Sequence, residues 1–184
     1  DRQTGETRRV SVGSTGGQAN GASYQPNLSD DGQFVGFWSN ASNLASGDTE
    51  TEPDVFVHAL AGGTTELVSV SGVTAGGPGY GPALSADGRY AAFRSDAPNV
   101  VAGDTNGVTD VFVRDRVLGT SERVSVASDG TQANGASTNH WISDDGRYVV
   151  FESAASNLVP DDTNNAIDIF VRDRTTGQTR RVSV

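Results

Sequence analysis

Cysteine is absent, so neither a disulfide framework nor a thiolate metal site can form. Lysine is absent as well: all 13 basic residues are arginine, set against 23 acidic ones, for a formal net charge of −10. That balance excludes nucleic acid as a partner, because displacing its counterions requires a basic surface. No apolar run approaches the roughly 20 residues that span a bilayer as a helix. Hydrophobic residues make up only 35% of the chain and no window keeps a helical period, which argues against a helical bundle. The chain opens at Asp1 and carries no signal-peptide pattern, so it reads as a processed chain or as a piece of something longer.

What the chain does have is glycine, 23 residues of it, and repetition. Val-Ser-Val, preceded by Arg or Leu, ends at Val12, Val70, Val126 and Val184. Between these marks the same signals recur in one order. A Ser-x-Asp-Gly turn at Ser29, Ser85 and Ser143 is followed by an apolar run at Phe34–Phe37, Tyr90–Phe93 and Tyr148–Phe151. An Asn-aliphatic step at Asn43, Asn99 and Asn157 comes next, then an acidic loop, then Asp-Val/Ile-Phe-Val from Asp54, Asp110 and Asp168. Asp-Gly between two apolar runs is a hairpin signal, since glycine tolerates the positive φ of tight turns. In the first copy the runs predict strands over Ala22–Leu28, Gln33–Trp38, Asp54–His58 and Glu66–Val70. Runs such as Val149-Val150-Phe151, apolar on both faces, suit a sheet covered on both sides. Four-stranded antiparallel units stacked face to face are the blades of a β-propeller.

The pattern Ser-x-Asp-Gly-Arg-Tyr-x-x-Phe at Ser85–Phe93 and Ser143–Phe151, with Asp-Val/Ile-Phe-Val-Arg-Asp after it, resembles the WD40-like (PD40) repeat of TolB-type propellers, over essentially the whole chain. The resemblance implies an all-β propeller, export from a bacterial cell to the periplasm or beyond, and either protein binding or attachment to a peptidase. Blades are expected at residues 13–70, 71–126 and 127–184. Residues 1–12 match 173–184 at 10 of 12 positions and are expected to be the outer strand of a preceding blade. Propellers close with four to eight blades, so three full blades leave an incomplete ring. Either the chain belongs to a longer array, or identical chains associate to complete a ring.

Function has three places to reside. In the acidic loops, Asp104, Asn106 and Asp110 stand at i, i+2 and i+6; Asp162, Asn164 and Asp168 repeat the spacing, and Asp48, Glu50 and Asp54 approximate it. Clustered oxygens around a turn suit Ca²⁺, which takes six to eight of them. The alternative is a structural turn in which the carboxylates bond neighbouring amides. The triplets Arg114–Arg116 and Arg172–Arg174 suit ion pairing between blades or, alternatively, anion binding. The first strands, which line the channel, diverge between copies. Tyr24, Tyr80, Asn139, His140 and Trp141 stand on them, and Trp38 stands where the other copies have Arg94 and Glu152. Aromatics at a channel mouth suit a sugar or a peptide side chain, or else fill a packing gap.

No nucleophile–base pair is visible, and the glycine-rich stretches lack the strand-to-helix setting of a phosphate loop. The sequence thus reads as a non-catalytic exported module binding a protein or glycan. The alternatives are a self-associating surface protein or the propeller part of a larger hydrolase.

Overall fold

The structure, a computed structural model, describes residues 1–48, 52–71, 74–75 and 78–183, and fourteen strands are found among these described residues. They are β1 (Ser23–Leu28), β2 (Phe34–Ser39), β3 (Asp54–Ala59), β4 (Thr65–Leu67), β5 (Val70–Ser71), β6 (Thr74–Ala75), β7 (Gly79–Leu84), β8 (Tyr90–Ser95), β9 (Asp110–Asp115), β10 (Thr120–Arg123), β11 (Ser137–Ile142), β12 (Tyr148–Ser153), β13 (Asp168–Asp173) and β14 (Gln178–Arg181). Three four-stranded antiparallel meanders result, β1–β4, β7–β10 and β11–β14, with β5 and β6 a short bridging pair. Among the described residues there is no helix. This is a propeller with an open, incomplete ring.

The Ser-x-Asp-Gly signal builds each first hairpin. Ser29 Oγ donates to Asp31 Oδ1 at 2.6 Å, the amides of Gln33 and Phe34 donate to Asp31 and Ser29, and Gly32 takes φ +67°. The fourth strand of the first sheet is shorter than its sequence suggests and ends at Leu67 rather than Val70. There the chain leaves the ladder so that Ser69 Oγ can donate to the buried Asp54 carboxylate, at 2.6 Å.

Alternation puts both faces of β3 and β9 to use. Val55 and Val57 pack with Phe93 and Phe112 between the first two sheets; Val111 and Val113 pack with Phe151 and Phe170 between the second and third. Burying one such phenylalanine contributes roughly 2–3 kcal/mol.

Neighbouring sheets are also clasped. Arg116 of the second sheet lies over the Phe34 ring of the first, 4.5 Å from its centroid, donates to Glu66 at 2.9 Å and also to the Gly88 carbonyl. Arg174 repeats the device on Tyr90 (4.4 Å), Glu122 (2.6 Å) and Gly146. A Cβ at Gly88 or Gly146 would collide with the ring beneath it.

The clasp stops at both ends. In the first sheet Leu60 takes the arginine position and Gly32 has open space above it. On the third sheet Tyr148 and Val150 are 39% and 40% exposed, whereas Ala92, at the Val150 position, is fully buried. Residues 1–12 form no ladder strand, only a bridge from Val12 to Gln18. Val12 accepts from Thr65 Oγ1 as Val126 accepts from Thr179 Oγ1, both at 2.5 Å, so the segment end holds the first sheet as the second sheet's tail holds the third.

Candidate functional site

The inner strands β1, β7 and β11 share a defect. Each slips register against its neighbour by a bulge, between Tyr24 and Asn27, Tyr80 and Ala83, and Thr138 and Trp141. The residue inside each bulge is left-handed: Gln25 (φ 48°), Gly81 (φ 64°) and Asn139 (φ 37°). Glycine accepts that conformation freely, but glutamine at positive φ is strained by roughly 1 kcal/mol. Bulges of this kind re-aim side chains, and here they converge on one pocket.

That pocket, of about 190 Å³, lies on the inner surface, and Gln25, Asn27, Gly81, Arg94, His140 and Trp141 are among its lining residues. A Cβ on Gly81 would sit 3.6 Å from His140 Cε1 and 3.7 Å from Gln25 Oε1, so the missing side chain makes room. His140 is 6% exposed, and neither ring nitrogen meets a hydrogen-bond partner among the described residues; the backbone of Ala92 and Gly81 faces the ring outside hydrogen-bond geometry. Burial pushes its pKa down to about 4, with the Arg94 charge adding to the effect, so the ring is neutral at physiological pH. Trp141, next along β11, is 67% exposed.

The six channel-mouth residues chosen from sequence divide between two neighbouring groups. Tyr24 and Trp38 stack with centroids 4.3 Å apart, and Tyr80 meets Trp38 edge-on at 5.2 Å. Asn139, His140 and Trp141 line the pocket itself. Two contacts join the groups: Trp38 Nε1 donates to Gln25 Oε1 at 2.8 Å, and the Arg94 guanidinium lies 5.5 Å from the Tyr80 centroid. Burial, then the charges of Asp96 and Glu52, raise the Tyr80 hydroxyl pKa. Sequence reasoning missed Gln25, Asn27, Gly81 and Arg94. The one signal available was a glycine at a slot where the other copies carry amides.

The acidic loops are organised around arginine. Asp104 and Asp110 hold Arg123 at 2.8 and 3.4 Å, and Asn106 donates to Asp110 at 2.7 Å. Asp162 and Asp168 hold Arg181 at 2.9 and 3.3 Å, with Asn164 donating to Asp168 at 2.9 Å. A guanidinium thus occupies the place a cation would take. Burial raises the Asp110 pKa despite hydrogen bonds from Ser125 and Asn106, whereas hydrogen bonds from Ser183 and Asn164 lower that of the more open Asp168. In the first copy Leu67 stands at the arginine position beside the buried Asp48 and Asp54, and Glu50 lies outside the described residues.

The arginine triplets divide by position. Arg116 and Arg174 make the pairs between sheets, while Asp115 and Asp173 take Arg89 and Arg147 of their own sheets, both at 2.7 Å. Arg172 turns to backbone carbonyls, Gly177 among them.

Comparison with protein-family models finds no match, and neither does comparison with curated proteins. Solved structures do match in fold. TolB from Acinetobacter baumannii superimposes with a TM-score of 0.55 at 18% identity, over 90% of this chain and 32% of that one. The β-propeller domain of the Trilobed protease from Pyrococcus furiosus, described as having an open velcro topology, gives 0.57 at 15% identity over 88% and 42%. Acylaminoacyl peptidase from Pyrococcus horikoshii gives 0.52 at 13% identity over 88% and 24%. At such identities the likeness establishes the TolB-like propeller fold and nothing finer. The chain spans about a third of the TolB and under half of the protease domain.

Proposed function

We propose that this chain is a non-catalytic, exported propeller module that binds a protein or glycan at the inner mouth formed by β1, β7 and β11. The observation that carries the reading is the shared bulge. All three inner strands hold a left-handed residue at the same place while the side chains around it differ from copy to copy. A constant backbone defect presenting variable chemistry is what a recognition surface needs and a packing layer does not. The test is an array of glycans and acidic and neutral peptides, probed with the wild type and with Trp141→Ala. The reading expects a ligand retained by the wild type and lost by the variant; a ligand retained equally by both would overturn it.

A second reading, self-association, is favoured by the uncovered clasp on the third sheet. Tyr148 offers the ring that Arg174 covers on Tyr90, and Val150 lies bare beside it. A further blade seated there would extend the ring. Light scattering that gives a multiple of 19.1 kDa, reduced by Val150→Arg, would support this reading, and a concentration-independent monomer would oppose it. The likeness to peptidase propellers supports a third setting, as the propeller part of a longer hydrolase. In it this chain would supply binding and no catalytic step.

A further inference from the structure

The binding reading leaves open what chemistry the mouth would accept, and the hydrogen-bond inventory of the pocket narrows it. Gln25 Oε1 accepts from Trp38 Nε1 at 2.8 Å, and Asn27 Oδ1 accepts from the Leu84 amide at 2.9 Å. Both partners are donor-only groups, so the orientation of each side-chain amide is fixed by its partner. The oxygen is used in each case and the NH₂ remains. Neither Gln25 Nε2 nor Asn27 Nδ2 has a hydrogen-bond partner among the described residues.

Arg94 adds more donors. Every other arginine of the three sheets except Arg180 holds a carboxylate, a hydroxyl or a carbonyl; Arg94 makes no hydrogen bond or ion pair among the described residues, only its contact with the Tyr80 ring. Asp96 and Glu52 stand near enough to influence Tyr80 but do not pair with it. Arg94 is half-buried, in a protein of net charge −10 that has carboxylates to spare. At the floor, His140 is more than nine-tenths buried with both ring nitrogens unpartnered.

Apart from the neutral His140 ring, which has one donor and one acceptor nitrogen, the unpartnered groups of Gln25, Asn27 and Arg94 are all donors, and a group that only accepts is their complement. A carboxylate is such a group, planar and able to take a guanidinium in a two-point contact. Next to the donors, Trp141 offers its indole to solvent at 67% exposure, a platform for the apolar face of a ring. A volume near 190 Å³ is below the roughly 300 Å³ at which pockets begin to enclose a drug-sized molecule, and suits one monomer of a chain.

We infer that the pocket binds an acidic sugar, one uronate residue of a glycan, with its carboxylate on Arg94 and the amides of Gln25 and Asn27 and its ring against Trp141. The inference rests on the mouth being a binding site and specifies what enters it.

Both tryptophans, Trp38 and Trp141, adjoin the site, so intrinsic fluorescence reports occupancy. The experiment titrates the intact chain with glucuronate, with glucose and with N-acetylglutamate, and repeats each titration on Arg94→Gln and Trp141→Phe. Melting curves of both variants are recorded to confirm folding. Glucuronate is expected to bind and glucose to bind at least about tenfold more weakly, since a hydrogen bond to a charged group is worth that factor or more. Arg94→Gln should remove the difference between the two sugars. Equal binding of glucose and glucuronate, unchanged by Arg94→Gln, would overturn the carboxylate assignment while leaving the mouth a binding site. N-acetylglutamate binding as well as glucuronate would overturn the sugar assignment in favour of a peptide carboxylate. Absence of binding by all three would overturn the inference, and the array would show separately whether the mouth binds anything.

Discussion

His140 shows at a single residue how burial changes solution chemistry. Its pKa falls from the ordinary 6.5 to about 4 because the folded chain withholds water from the charged ring. A histidine with a depressed pKa leaves stability intact above 6.5, where it is neutral folded or unfolded. Stability is lost as pH falls from 6.5 to about 4, while only the unfolded chain takes up the proton. The full loss is of the order of 3 kcal/mol. His58, also lowered by burial, contributes in the same direction. Urea melts between pH 7 and pH 4 should therefore show a fall in stability that His140→Gln reduces but does not abolish. An identical pH profile in the variant would show that the ring is not excluded from water in the folded state.

At the scale of elements, the clasp between sheets makes a paired prediction about glycine. Gly146 and Gly32 occupy the same turn position at φ +70° and +67°. Alanine at Gly32 meets nothing within 4 Å and should cost only the left-handed penalty, about 1–2 kcal/mol. Alanine at Gly146 must also displace the Tyr90 ring and the arginine stacked on it, and should cost clearly more in a thermal melt. Equal costs would mean the third sheet is not clasped to the second.

The acidic loops make a prediction of their own. Arg123 and Arg181 already neutralise the carboxylates of the second and third copies, so excess Ca²⁺ should leave the melting temperature unchanged. A rise would contradict that neutralisation.

Much of this scale was legible in the sequence, because turn residues and alternation act locally. Ser29, Asp31 and Gly32 contain everything needed to specify their hairpin, and the Phe56, Phe112 and Phe170 strands follow from apolar spacing. The loop partners were less visible. Arg123 lies 19 residues beyond Asp104, and only the fold closes that distance. The bulges were barely legible: Gly81 was their one signal, and a left-handed Gln25 has no sequence mark of its own, since the ladder on either side imposes the conformation.

For the whole molecule, three clasped sheets make an open arc whose inner surface carries the pocket and whose third sheet offers an uncovered face. These two surfaces suit different roles, one for a ligand and one for another blade, and they meet on the third sheet, where Trp141 of β11 pairs with Val150 of β12. Val150→Arg should therefore change assembly, whereas Arg94→Gln, on the second sheet and away from the bare face, should weaken ligand capture without changing assembly. The central claim, that recognition belongs to the bulged inner strands, is tested most directly by hydrogen–deuterium exchange with and without a ligand selected on the array. The account predicts added protection in Ser23–Leu28, Gly79–Leu84 and Ser137–Ile142; protection confined to the outer strands Thr120–Arg123 and Gln178–Arg181 would contradict it.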